Sequence, residues 1–208
     1  MITKESDDFK YWPYYCEENV WHLCQHPDFT NLEAIVVIIS NMAKSCALWH
    51  QRAVTTFELP VVWDYHVILL VFDEYWQVWD ADSTLPLGTK ITEYLSSTFP
   101  GEVCSNEKFV ARFRLFKSMD FVKLFSSDRS HMLDMDGSWM SEPPPWSPIV
   151  NDKGVILENL IDMSSERLAD TLSLVQMQQM FSAEATANGD SHNVIDSMVT
   201  RYCFSDFR

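Results

Sequence analysis

The 208-residue sequence predicts an α+β fold in a single domain, on three observations. A short helical pattern comes first, a run of strand patterns follows it, and further helical stretches are interspersed without regular βαβ alternation. Apolar residues make up 47% of the chain and aromatics 13%, enough to bury a sizeable core, so a wholly disordered chain is excluded. Eight tryptophans add large buried surfaces whose indole N–H groups need partners.

Residues 1–10 are polar and are expected to be loose. From Cys16 to Gln25 the chain reads as a helix: Val20, Leu23 and Cys24 share a face, and Glu17 and Glu18 suit a first turn. Ala34–Ile39 is a continuous apolar run and reads as a buried strand, with Ala47–Arg52 as its hairpin partner. VVWDYHVILLVF, after Pro60, is the strongest strand signal, and Tyr75–Asp80 follows across a turn at Asp73-Glu74 as an antiparallel partner. Thr89–Phe99 reads as a helix. Phe109–Leu115 alternates apolar and basic residues, as a half-exposed strand does. Ser118–Phe125 reads as a short helix, residues 126–150 as a long irregular segment of the kind that often carries function, and Leu168–Phe181 as a helix. The polar tail 183–208 has no assignable element. The domain plan is therefore a loose 1–10, a core domain over 11–182 and a C-terminal extension over 183–208.

A formal net charge of −15 argues against nucleic acid as a partner, which needs a basic face, and favours cationic ligands such as a protonated α-amine. The five cysteines are odd in number and scattered, unlike a disulfide framework. The start MITKESDDFKYW has no apolar leader segment, and AIVVII and VILLVF are far shorter than the ~20 residues a membrane span needs. Free thiols in a reducing compartment are expected.

Three residues carry the candidate chemistry. Cys16 opens a helix, where the dipole favours a thiolate and free backbone N–H groups offer an oxyanion site; Glu17 and Glu18 oppose that thiolate, so a histidine must compensate. An isolated cysteine is more often a small inert core residue. His66 sits in an apolar strand and needs a polar partner, whether as a satisfied core histidine or as a general base. A turn at Asp73-Glu74 pairs residues whose numbers sum to about 147, which sets His66 beside Asp80, with Asp82 as the competitor. Cys on a helix, His on a strand and Asp on the next strand is the chain order of papain-like and transglutaminase-like enzymes. Other arrangements fail. His22 and His26 have a metal-like spacing but no second ligand cluster, and Asp134, Asp136 and Gly137 lack the first and last ligands of a calcium loop. The two Trp-Asp dipeptides lie too close together for propeller blades of ~40 residues.

Around these residues the sequence resembles the protein N-terminal glutamine amidohydrolases, the family of the WDYHV motif. The matching blocks are Tyr15–Trp21, Val62–Val67, Asp80–Pro86, Ser127–Met132 and Gly137–Trp139 leading into Pro143–Pro145, with a weaker one at Thr171–Ser173. The resemblance implies a single-domain α/β sandwich related to papain and transglutaminase enzymes, with a Cys16, His66 and Asp80 triad. It implies deamidation of an N-terminal glutamine to glutamate through a thioester, feeding the N-degron pathway, with no cofactor and no metal. Partners would be proteins or peptides with a free N-terminal Gln, not nucleic acid or membrane, met by a monomer in the cytoplasm and also the nucleus. Internal Gln must be refused, which calls for an acid near the triad to bind the α-ammonium: Glu18, Asp64 or Asp82. Two alternatives stay open: a catalytically dead adaptor that binds N-termini, and another thiol enzyme such as a peptidase or transglutaminase.

Overall fold

The computed structural model describes residues 9–54, 56, 58–101, 106–164 and 170–182. The 183–208 extension and residues 1–8 of the N-terminus lie outside them. Phe9 and Lys10, expected to be loose, are packed: Phe9 stacks on Phe29 and meets Trp79 edge-on, and the Lys10 ammonium sits over Trp146.

The fold is built around β1 (Glu33–Ser40), whose apolar run is buried on both faces. Ile35 through Ile39 are each at most 1% exposed, and burying each such side chain contributes about 1.5–3 kcal/mol. A strand this apolar must lie inside a sheet, and β1 is flanked on both sides: by β4 (His66–Asp73) and β7 (Arg112–Lys117), both antiparallel. β5 (Tyr75–Trp79) and the two-residue β6 (Thr89–Lys90) extend the sheet at one edge, and β8 (Leu172–Ser173) closes the other. All pairs in this six-stranded sheet are antiparallel.

Period-2 alternation splits the strands into two cores. Val36, Ile38, Val67, Leu69 and Val71 face α1 (Cys16–Leu23), α3 (Ser118–Leu124) and α4 (Leu157–Ile161). Ile35, Val37, Ile68, Leu70, Phe113 and Leu115 face α2 (Ile91–Thr98) and α5 (Leu174–Met180). The result is a helix–sheet–helix sandwich in one α/β domain.

Several expectations are corrected. Ala47–Arg52 is not the partner of β1, whose two edges are already taken; Cys46–Leu48 forms β2 and pairs with β3 (Val61–Trp63) in a separate ribbon. The long VVWDYHVILLVF run is therefore two strands, broken at Asp64-Tyr65, where the Ser40 hydroxyl donates to the Asp64 carbonyl at 2.6 Å. β4 and β5 pair with Leu69 opposite Trp79, one residue along from the expected register, and Glu74 at φ 64° forms the turn. Thr89-Lys90 is strand, so α2 starts at Ile91. β7 is not half exposed: Arg114 is fully buried, donating to the Leu160 and Asp162 carbonyls at 2.8 and 2.9 Å at the end of α4. Of the expected Leu168–Phe181 helix, residues 168 and 169 lie outside the described part, and the helix starts at Leu174 behind a Ser173–Gln176 capping box.

Candidate active site

The site forms where α1 begins against the start of β4. Asn19 fixes the entry of the helix, its side chain accepting from Trp12 N–H and donating to Trp12 carbonyl, both at 2.8 Å. Tyr15 supplies no side-chain cap, so the first-turn N–H groups of α1 stay available. Cys16 is 8% exposed, with the Val67 backbone N–H favouring the thiolate. Burial, then the charges of Glu17 and Asp82, push the Cys16 thiol well up, so the helix end alone does not hold a thiolate here.

His66 opens β4 and Asp80 follows directly on β5. His66 Nε2 lies 3.0 Å from Asp80 Oδ1, a charge contact between two buried groups rather than a linear hydrogen bond. The rest of Asp80 is held by donors that the sequence did not reveal: Tyr94 hydroxyl at 2.7 Å and Gln51 Nε2 at 3.5 Å on Oδ2, and the Asp82 N–H at 3.0 Å on Oδ1. Trp63 stacks on His66 at 6.1 Å and donates from its indole to Gln51. Burial works against charge on both partners, but Asp80 raises the His66 imidazole, and His66, Tyr94 and the Asp82 N–H lower Asp80.

Two cavities meet at Cys16 and Asp82. The larger, about 390 Å³, is lined by Trp63, Asp64, Tyr65, His66 and His131, with the exposed Tyr14 and Met140 on its wall. The smaller, about 180 Å³, is lined by Phe9, Tyr11, Val20, Leu23, Trp79 and Leu87 with Asp80. Asp82 reaches both, and Tyr11 hydroxyl donates to it at 2.8 Å. Burial, with the Asp80 charge adding and His66 opposing, raises the Asp82 carboxyl to about 6.

The structure brings Cys16, His66, Asp80, Asp82 and Asp64 to one locus. It removes Glu18, the third acid proposed from the sequence. Glu18 is fully buried and lines neither cavity; Arg129 grips it with Nε and Nη2 at 2.7 and 2.8 Å, and Trp146 indole donates at 2.6 Å. Glu17 is also fully buried and accepts from Tyr65 hydroxyl at 2.9 Å, with His131 Nε2 at 3.5 Å. Arg129 and His131 lie within the resembling segment Ser127–Met132, which gave the sole sequence signal for both.

His66, Asp80 and Asp82 each offer a ligand atom within 4.8 Å of the others, a spacing a cation would accept, but protein donors already engage the Asp80 and Asp82 oxygens. The His22–His26 pair is split: His22 packs between Trp21 and Trp146, where burial lowers its imidazole to about 4, and His26 accepts from Asp28 N–H.

A sequence model of the family described as N-terminal glutamine amidase matches residues 11–184. A protein of Arabidopsis thaliana named protein N-terminal glutamine amidohydrolase is 37% identical over 212 residues, 96% of each chain. Relatives of the same name from Homo sapiens and Drosophila melanogaster are 36% and 34% identical, over 72% and 79% of this chain and 76% and 84% of theirs.

Proposed function

The chain belongs to the N-terminal glutamine amidase family, and on that premise we propose that it hydrolyses the side-chain amide of an N-terminal glutamine with Cys16, His66 and Asp80 as its triad. The observation that carries the reading is the His66–Asp80 contact of 3.0 Å beside a cavity that both His66 and Cys16 line. A helix-borne Cys, strand-borne His and following Asp also support kinship with papain-like and transglutaminase-like enzymes.

With Nε2 of His66 engaged by Asp80, Nδ1 is the nitrogen that exchanges a proton with Cys16. The raised thiol on its own makes the thiolate dependent on that transfer, and the imidazolium is stabilised by Asp80. Sulfur attacks the amide carbon, and the charge on oxygen is met by the uncapped Cys16 N–H. His66 protonates the nitrogen, ammonia leaves, and a thioester remains. Water deprotonated by His66 then hydrolyses it, releasing glutamate and the thiol.

Asp82 binds the substrate α-ammonium, with Asp64 as the second acid of the same cavity. Asp82 already lies beside the triad, and an arriving ammonium pulls its carboxyl back toward full ionisation. An internal glutamine brings no such charge. Asparagine, one methylene shorter, cannot reach sulfur with its amine still on Asp82, which adds a positional penalty to the ~1–3 kcal/mol of lost packing. The substrates are then proteins with a free N-terminal Gln, and the glutamate formed feeds the N-degron pathway in the cytoplasm and nucleus.

Peptides beginning with Gln, Asn or acetylated Gln test this by ammonia release and one-dalton mass gain. The expected result is conversion of the free Gln peptide alone, lost in Cys16→Ala. Conversion of acetylated Gln would overturn the amine site, and no conversion by the folded protein would favour the adaptor.

A further inference from the structure

Beside Cys16, with His131 lining the same cavity as His66, lies a second cluster of ionisable groups with no part in the mechanism above. Glu17 is fully buried and stands next to the sulfur, which is 3.7 Å from its Oε2. Oε2 also accepts from Tyr65 hydroxyl at 2.9 Å; Oε1 has no hydrogen-bond donor and meets His131 Nε2 at 3.5 Å. The Tyr65 oxygen is 3.2 Å from the same nitrogen. A buried carboxylate needs a paired cation, and among the described residues His131 is the cationic side chain in contact with Glu17.

We propose that His131 is a positioning residue for the nucleophile: paired with Glu17 as an imidazolium, it compensates the carboxylate beside the Cys16 sulfur and so permits the thiolate to form there. This rests on Cys16 being the nucleophile. Burial opposes charge on His131, but the Glu17 carboxylate raises it, with Glu158 and Asp64 adding. Around the sulfur, Glu17, Asp82 and Asp80 all disfavour negative charge. Of these, Asp80 is balanced by His66 and Asp82 by an arriving substrate amine. Glu17 also acts on His66 from a distance, but the cationic side chain in contact with it among the described residues is His131, which makes His131 its direct compensation. The pair also explains why an acidic residue is tolerated directly after a cysteine nucleophile.

The test is the pH dependence of Cys16 alkylation by iodoacetamide in the full chain, read by mass spectrometry of the Cys16 peptide. His131→Asn is expected to move the profile upward by about one pH unit, slowing alkylation at neutral pH roughly tenfold. Glu17→Gln combined with His131→Asn is expected to return the rate to within about twofold of the parent, because the uncompensated charge is gone. Turnover of a Gln peptide should fall in kcat with little change in KM. His131→Gln serves as a second neutral variant if the Asn form does not fold. An unmoved profile in the single variants, or a double variant as slow as the single, overturns the proposal alone. A rise in KM at unchanged kcat also overturns it, placing His131 on the substrate instead. A parent Cys16 no more reactive than Cys24 and Cys46 overturns both this and the nucleophile assignment.

Discussion

Glu17 and Glu18 are consecutive on α1 and both fully buried, yet their surroundings differ in kind. Glu18 is saturated. It takes two guanidinium bonds from Arg129 and one from Trp146 indole, and Arg129 donates further to the Pro144 and Trp146 carbonyls. Glu17 belongs to the open corner, where polar atoms are left incompletely paired and Cys16 and Asp82 are pushed away from their ordinary ionisation. A satisfied buried charge fixes a loop to a helix; an unsatisfied one stores a demand that a substrate or a proton can meet. The knot ties segment 126–150 to α1, and the corner is the seat of the proposed chemistry.

The sharpest separation of the two regions is His66→Ala. It should lower kcat/KM for a Gln peptide by roughly 10⁴-fold. That is far more than could follow, in a chain that stays folded, from the about 1–3 kcal/mol lost in urea unfolding when Asp80 keeps only its Tyr94, Gln51 and Asp82 N–H donors. Loss of activity that merely followed loss of folded protein would erase the distinction. The mirror experiment is Arg129→Met, which strands Glu18 and should cost about 3–5 kcal/mol in urea unfolding. Adding Glu18→Leu should recover most of that. A single variant as stable as the parent would mean the knot is not the scaffold it resembles.

Asp82→Asn breaks the comparison from the corner side, because there function and stability should move in opposite directions. Its carboxyl is raised from 3.8 to about 6 in the folded chain, so between these values the folded state binds more protons than the unfolded one. Stability from this group is therefore greatest below about pH 4 and is lost as pH rises through about 6. The Asn variant should gain on the order of 2 kcal/mol at pH 7 and nothing near pH 3.5, measured by urea unfolding at both. Its kcat/KM on a free Gln peptide should fall roughly 10²-fold. A variant destabilised at pH 7 would show that Asp82 is a structural acid.

The sequence carried much of this, unevenly. The β1 run, the β4–β5 hairpin and the helix at Cys16 were legible because each is a local pattern, apolar continuity or helical spacing. The break at Asp64-Tyr65 was not: alternation continues through it, and the strand ends only because Ser40 and the β2–β3 ribbon capture the chain. Arg114 read as surface for the same reason, since alternating charge looks exposed until α4 arrives with free carbonyls. Among the candidate site residues, Cys16, His66 and Asp80 stood out through the resembling blocks. Tyr94, Gln51 and Tyr11 did not, because each reaches Asp80 or Asp82 through tertiary packing that no spacing encodes. Glu18 was misassigned because nothing in YCEENVW distinguishes a glutamate facing Arg129 from one facing a cavity.

Tyr94 shows how far the corner depends on the opposite core. It lies on α2, packed with Ile91 and Leu95 among the residues facing Ile68 and Leu70, and only its hydroxyl reaches the Asp80 carboxylate. Tyr94→Phe keeps the packing and removes that one donor, leaving Oδ2 with Gln51 at 3.5 Å. A buried bond to a charged acceptor contributes about 1.5–3 kcal/mol, part of which Gln51 can recover by closing in, so the loss should be near 1 kcal/mol. The pH dependence separates this from a packing defect. Asp80 is held below its ordinary value, so its contribution is present above the unfolded pKa of about 3.8 and is lost as pH falls through the folded one. Removing the Tyr94 donor narrows that window, and acid unfolding should begin at higher pH in the variant. Turnover should fall a few-fold in kcat with KM unchanged, because His66 keeps its partner but the partner is less firmly held. An identical acid-unfolding midpoint would show that α2 only packs against the sheet and has no hold on the triad.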